Sequence, residues 1–193
     1  MIPPHRAGDY PPLVSYAVMP PLPRPIRKVG APLAVIITLG TLAGLLLILL
    51  TAVNPVGTTI GFVLSTLAMT LVLLAYLWLD RWEPEPPRLL VLAFLWGATV
   101  AIIVSVALEA YIEATINPGQ DEASFATVAV VAPVVEEAAK GLFLLIMMMG
   151  RRRNELNSLT DCLVYAGVVA VGFAWLEDIF YIADGENLAS SLV

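Results

Sequence analysis

Long apolar runs separated by short polar connectors dominate the chain after residue 32. A helix needs about 20 consecutive apolar residues to cross the hydrocarbon core of a bilayer. Five windows reach that length, at 33–53, 59–79, 89–108, 125–149 and 162–181. The pattern predicts an all-α protein, a polytopic transmembrane helical bundle of about five spans in the cell membrane.

The first 32 residues have a different composition. They hold nine of the fifteen prolines, including the run PPLPRP at 20–25. Proline-rich stretches of this kind favour extended polyproline-II or disordered conformations over a packed domain. We therefore expect a Pro-rich disordered tail over 1–32, followed by one transmembrane domain over 33–193.

The basic residues outside the windows alternate from one connector to the next. They precede the first window, lie between the second and third, and follow the fourth, at Arg6, Arg24, Arg27, Lys28, Arg81, Arg88, Arg151, Arg152 and Arg153. The connectors 54–57 and 111–124 contain no Lys or Arg. Because basic connectors stay in the cytoplasm, the pattern predicts a multi-pass protein with a cytoplasmic N-terminus.

Composition and charge exclude several other classes of protein. Hydrophobic residues make up 59% of the chain and charged residues 13%, which excludes an ordinary soluble domain and a disordered chain. The net charge of −6 argues against nucleic acid as a partner, because phosphate binding needs a basic surface. Cys162 is the single cysteine, so no intramolecular disulfide or cysteine-rich zinc site is expected.

The fourth window contains three charged side chains: Glu136, Glu137 and Lys140. Glu136 lies eleven residues after Phe125, about 16 Å along a helix and so near the membrane midplane. A charge at that depth costs about 2.5–3.5 kcal/mol, which favours a functional role. Lys140 follows the glutamates at i+4 and i+3, so it can pair with both.

Paired carboxylates in a low-dielectric setting can provide a general base near neutral pH. Glu136 and Glu137 are about 100° apart around a helix, so they cannot point at one spot. We expect one of them to face a reaction centre while Lys140 neutralises part of the pair.

The fifth window repeats the pattern. Phe173, Glu177 and Tyr181 fall on one stripe at i, i+4 and i+8, and Asp178 follows Glu177. Because the last two spans run antiparallel, Glu136 and Glu177 both lie in the outer half of the membrane. If these spans pack together, the two glutamates could line one cavity. Alternatively, Glu177 and Asp178 mark the point where the helix leaves the lipid.

Two acidic residues after the third window have a simpler interpretation. Glu109 and Glu113 directly follow the apolar residues 89–108, and they predict a solvated helix end.

Taken in order, five motifs resemble the PrsW family. They are DRWEPEP at 80–86, LWG at 95–97, APVVEEAAKG at 132–141, TD at 160–161 with Tyr165, and GFAWLEDIFY at 172–181. That family consists of polytopic intramembrane proteases, within the wider group of CAAX-processing and bacteriocin-processing proteases. The resemblance covers residues 80–181, about half of the chain.

The resemblance implies roles for the charged residues. Glu136 and Glu137 would be the family's paired glutamates, with Lys140 as their companion cation. The catalytic residues would be Glu136, as the base that activates water, and Glu137 and Glu177, which assist it. Glu177 would be the glutamate of the family's GFAxxEN element, in which Asp178 replaces the asparagine. Asp178 and Tyr181 would support the site.

The resemblance also implies a divalent metal such as zinc, held partly by histidines on later spans. The only histidine is His5, in the predicted tail, and carboxylates alone are a poor zinc set. The chain therefore resembles a family member truncated at its C-terminus.

The expected function is that of an intramembrane endopeptidase (a hydrolase). It would cleave a single-span membrane protein, such as an anti-sigma factor, on the extracytoplasmic side. Two alternatives remain open from the residues: an ion- or proton-coupled transporter using Glu136, Glu137 and Glu177, or a non-catalytic membrane scaffold.

Overall fold

The structure is a computed structural model that describes residues 31–82, 84–116, 125, 127–150 and 152–185. Residues 1–30 of the predicted tail lie outside the described residues. Six α-helices make up most of the described chain: α1 (Ala31–Val53), α2 (Pro55–Leu79), α3 (Pro87–Leu95), α4 (Ile102–Ile116), α5 (Ala132–Met149) and α6 (Leu159–Asp184). The described ranges contain no strand, and the all-α prediction is confirmed.

Two π-helical turns interrupt the regular helices. One, Trp96–Ala101, is buried and joins α3 and α4 into one continuous helix, and the other, Thr127–Val131, directly precedes α5. Such turns often mark functional sites. Pro133 lies in the first turn of α5, where the missing backbone N–H of proline costs least.

Within the described residues, four helical stretches are long and apolar enough to cross a membrane: Leu33–Val53, Pro55–Trp82, Pro87–Ile116 and Leu159–Asp184. These stretches contain four of the five predicted windows. The remaining window, 125–149, contains α5 with its three charged side chains. The third stretch continues to Ile116, past the predicted end at 108, because Glu and Ala residues in this segment are good helix formers.

Side-chain caps set where two of the helices begin. Asn54 accepts a hydrogen bond of 2.9 Å from the Gly57 N–H at the start of α2, and its amide donates to the Ala183 carbonyl at 2.8 Å. Ser158 and Asp161 form a reciprocal capping box at the start of α6. Asn54 therefore also joins the beginning of α2 to the end of α6.

Among the described helices, α6 has the largest number of buried residues, and it packs against α2 and the α3–α4 helix. Two glycines permit close backbone contact there. A Cβ on Gly97 would lie 1.9 Å from the Val169 carbonyl oxygen, and one on Gly172 would lie 2.1 Å from the Phe94 carbonyl oxygen. Small residues at such crossings are typical of helices that associate in lipid.

Helices α1 and α5 lie around this centre. Trp96 ties α5 to the first π-helical turn, because its indole N–H donates a hydrogen bond of 3.1 Å to the Ala139 carbonyl. In α1, Ile36 and Ala43 are the buried residues among those whose side chains are described. The other described side chains of α1 are partly or fully exposed, as expected for a helix that faces lipid.

Candidate active site

A cavity of about 460 Å³ lies between α1, α4, α5 and α6. Its volume falls within the range of small-molecule and substrate pockets. Fourteen residues line it: Leu46, Leu49, Leu50, Val53, Ile102, Ser105, Val106, Glu109, Glu136, Phe173, Glu177, Phe180, Tyr181 and Asp184. The wall that α1 contributes is entirely apolar, whereas the carboxylates come from α4, α5 and α6.

The paired glutamates of α5 occupy different surroundings. Lys140 Nζ lies 3.2 Å from Glu136 Oε2 and 3.0 Å from Glu137 Oε1, which confirms the pairing predicted from their spacing. The Glu136 side chain is 24% exposed and lines the cavity, whereas that of Glu137 is 74% exposed and lies outside the lining. Of these two carboxylates, Glu136 is the one that lines the cavity.

Lys140 has a third contact, with α6. Its Nζ lies 3.9 Å from the centre of the Phe173 ring. A cation over an aromatic face is attracted by the negative potential of the ring. Phe173 thus helps to hold Lys140 in place, and Lys140 in turn holds the Glu136 carboxylate.

Helix α6 contributes Glu177 and Tyr181 to the same cavity. The structure therefore brings Glu136 and Glu177 together, as predicted from the packing of their two helices. Asp178 is exposed and is not a lining residue. The stripe of Phe173, Glu177 and Tyr181 faces the cavity as one unit.

Two polar residues of α4, Ser105 and Glu109, also line the cavity. Glu109 was expected at a solvated helix end, and this expectation is wrong because α4 continues to Ile116 and one Glu109 carboxylate oxygen is buried beside the cavity. Glu113, one turn further along, accepts a hydrogen bond from the Thr127 hydroxyl. The i, i+4 spacing of Ser105 and Glu109 is the sequence signal that could have placed both on one helix face.

The chemistry of this arrangement follows from its charges. Glu109, Glu136 and Glu177 share one cavity in a mostly apolar setting, with Lys140 beside them. Charges interact more strongly among apolar side chains than in bulk water. A carboxylate in such a place can take a proton from a water molecule and later return it.

The described residues do not fit a metal ion by themselves. Among them, no group of three or more His, Cys, Asp and Glu side chains is arranged to hold one. The single histidine, His5, lies outside the described part of the chain.

A second polar cluster links two of the other motifs. The Glu85 N–H donates a hydrogen bond of 2.9 Å to Asp80 Oδ2, and the Tyr165 hydroxyl donates one of 2.7 Å to Glu85 Oε2. Both Glu85 and Tyr165 are buried, and burial raises the pKa of Glu85. This cluster fixes the 84–86 connector against α6, about 12 residues and so roughly 18 Å along the helix from Glu177.

Comparison with known proteins connects these features. Residues 85–192, more than half of the chain, match the family model described as PrsW family intramembrane metalloprotease. A curated relative, Protease PrsW of Clostridioides difficile (strain 630), is 29% identical over 130 residues, which is 65% of this chain and 53% of the relative. The chain thus spans about half the length of that relative. No solved structure matches. With its apolar helices and this match, the chain is a multi-pass membrane protein that belongs to the PrsW family of intramembrane metalloproteases.

Proposed function

We propose that the protein is an endopeptidase that hydrolyses a peptide bond of a single-span membrane protein. The observation that carries this proposal is the shared cavity of Glu136 and Glu177, because the two carboxylates come from the two motifs of the family resemblance. The substrate would be a protein like an anti-sigma factor, cut on the extracytoplasmic side. That side follows from a cytoplasmic N-terminus and from the outer-half position of both glutamates.

In the proposed reaction, Glu136 is the general base. It takes a proton from a water molecule while the water oxygen forms a bond to the carbonyl carbon of the peptide. The C–N bond then breaks, and the leaving nitrogen receives a proton from Glu136. Lys140 keeps Glu136 in position, and its contact with Glu137 holds the lysine in turn.

The other site residues assist. Glu177 would hold the water or share its proton from the α6 side, and the Tyr181 hydroxyl would donate a hydrogen bond within the cavity. Asp178, next to Glu177 but exposed, would act only through the field of its charge. Family membership suggests a divalent metal, for which zinc is our proposal. Its ligands would have to include residues outside the described ranges.

The test is a cleavage assay in proteoliposomes that contain the protein and a single-span reporter. Glu136→Gln keeps the shape of the side chain but removes its basicity, so we expect cleavage to fall by at least about 100-fold. Glu155→Gln, in the connector after α5, is the matched control and should cleave normally. Cleavage retained by a properly inserted Glu136→Gln protein would contradict the proposal.

The lined cavity also supports a second candidate, a proton-coupled transporter. Carboxylates within a helical membrane bundle can relay protons. This candidate predicts proton flux into the same proteoliposomes, reported by a pH-sensitive dye, that Glu136→Gln abolishes. If the protein cleaves the reporter and no proton flux is detected, the transporter candidate is rejected and the protease candidate is retained.

A further inference from the structure

Three buried side-chain oxygens have no hydrogen-bond partner within the described part of the chain: Ser65 Oγ, Ser105 Oγ and Glu109 Oε1. Buried polar groups are nearly always paired, so each such atom needs an explanation. Ser105 and Glu109 line the cavity, whereas Ser65 does not. Ser105 Oγ and Glu109 Oε1 therefore have unused hydrogen-bonding capacity, and both atoms belong to residues that line the cavity.

Ser105 and Glu109 differ in position from the proposed catalytic groups. They project from α4, four residues or about 6 Å apart along its axis, whereas Glu136 and Glu177 come from α5 and α6. Ser105 is only 1% exposed. Its hydroxyl can donate one hydrogen bond, and a carboxylate oxygen of Glu109 can accept one.

The substrate of an intramembrane peptidase supplies matching groups. Within a regular helix, the backbone N–H and C=O groups are already paired, so they offer nothing to a binding site. An unwound segment exposes both groups, and leaving them unpaired in an apolar setting costs several kcal/mol each. In an extended segment, two residues span about 6.6 Å, close to the separation of Ser105 and Glu109 along α4.

We propose that Ser105 and Glu109 bind the backbone of an unwound substrate segment, the serine donating to a peptide carbonyl and the glutamate accepting from a peptide N–H. This inference rests on the proposed function. It makes α4 the substrate-binding side of the cavity and α5 and α6 the catalytic side. Residues with helix-breaking neighbours would accordingly be preferred at the cleavage site.

Binding can be measured separately from cleavage. The probe is a fluorescent single-span peptide, rich in Leu and Ala, with a central Gly-Gly-Pro break, titrated into nanodiscs that hold the Glu136→Gln protein. Adding Ser105→Ala should weaken binding about 5- to 10-fold, the range expected for one lost hydrogen bond. Glu109→Leu should weaken it by a similar or larger factor, whereas Glu109→Gln keeps an accepting oxygen and should retain most of the affinity.

Ser65→Ala is the matched control, because it removes another buried, unpartnered hydroxyl away from the cavity. It should leave the affinity unchanged. An uninterrupted Leu/Ala helix should bind at least about 5-fold more weakly than the broken probe. The inference is overturned if Ser105→Ala binds like Ser65→Ala, or if the unbroken helix binds as tightly as the broken one.

The two proposals fail in different ways. If the otherwise unaltered Glu136→Gln protein still cleaves the reporter, the proposed base is wrong whatever the binding data show. If Glu136→Gln abolishes cleavage but the Ser105 and Glu109 variants bind normally, only the assignment of α4 as the substrate-binding side is wrong. Ser105→Ala removes a single oxygen atom, so this arm remains informative even if Glu109→Leu does not fold.

Discussion

The Tyr165 hydroxyl donates a hydrogen bond of 2.7 Å to Glu85, 80 positions earlier in the chain. Glu85 lies in the connector before α3, and Tyr165 lies in the second turn of α6. The Glu85 N–H is itself held by Asp80. This contact explains why the connector motif and the Tyr165 motif occur together although neither reaches the cavity: together they fix the start of α3 against the second turn of α6.

The burial of Glu85 predicts a specific pH dependence of stability. Burial raises the pKa of Glu85, and the nearby carboxylates of Asp161, Asp80 and Glu155 raise it further, against the opposing effect of Tyr165. The folded protein therefore binds the Glu85 proton more tightly than the unfolded chain does. Stability from this group is present below the ordinary glutamate pKa, about 4.3, and is lost as the pH rises through the folded-state value.

The measurement is the Tm in detergent at several pH values between about 4 and about 7. This interval begins near the ordinary glutamate pKa and extends almost three units above it. Glu85→Gln removes this titration but keeps an oxygen that accepts from Tyr165. The Tm of the variant minus that of the unaltered protein should rise as the pH rises. If the Tm values of the two proteins change in parallel with pH, the folded protein does not raise the pKa of Glu85, and the prediction is wrong.

The close crossing of α3 and α6 predicts a large difference between two identical substitutions. Gly172→Ala places a Cβ 2.1 Å from the Phe94 carbonyl oxygen, so the helices must separate, at a cost of about 1–3 kcal/mol or more. Gly44→Ala in α1 is the control, since its Cβ meets no atom within 4 Å. It should be neutral or stabilise α1 by up to about 1 kcal/mol.

Thermal unfolding in detergent distinguishes the two alanine variants. Gly172→Ala should lower the Tm by several degrees or prevent folding, while Gly44→Ala should match or exceed the unaltered protein. Equal Tm values for the two variants would mean that the close packing of α6 against α3 does not contribute to stability.

Local spacing explains which parts of this site the sequence predicts. The contacts of Lys140 with Glu136 and Glu137 depend only on one turn of one helix, and they were predictable from i+3 and i+4 spacing. The apolar windows were predictable for the same reason, because hydropathy is a local property. The geometry of α5 confirms the pairing of Lys140, and four of the five predicted windows fall within the long apolar stretches.

Tertiary packing determines the rest. Whether Glu109 meets solvent or a cavity depends on where α1 packs, and α1 contributes only apolar residues with no distinguishing pattern. The hydrogen bond between Tyr165 and Glu85 joins residues 80 positions apart in the chain, so no helical spacing could predict it. Spacing predicts that Glu136 and Glu137 point about 100° apart but not which of them faces inward, and only the family resemblance favours Glu136.

The charge pattern of the connectors predicts the orientation in the membrane. With a cytoplasmic N-terminus, the connector at 54–57 faces outward and the one at 152–158 faces the cytoplasm. The test uses Cys162→Ser protein with one new cysteine, either Val56→Cys or Glu155→Cys. A membrane-impermeant thiol reagent should label Val56→Cys in intact cells, and Glu155→Cys only after permeabilisation. The reverse labelling pattern would contradict the predicted orientation.

The unequal surroundings of the carboxylates predict unequal effects on catalysis. Glu177 lines the cavity, so Glu177→Gln should lower kcat by about 100-fold or more, as expected for a group that handles protons in the reaction. Glu137 is 74% exposed and touches the site only through Lys140. Glu137→Gln should therefore lower kcat less than about 10-fold, because an exposed ion pair contributes at most about 1 kcal/mol.

Steady-state cleavage of the single-span reporter measures both effects. Adding salt should narrow the difference between Glu137→Gln and the unaltered protein, because salt screens an exposed pair. It should leave the Glu177→Gln defect unchanged, because that carboxylate lies inside the cavity. If Glu137→Gln proves as damaging as Glu177→Gln, Glu137 acts in the reaction directly, and the cavity must rearrange to admit it before the peptide bond is cut.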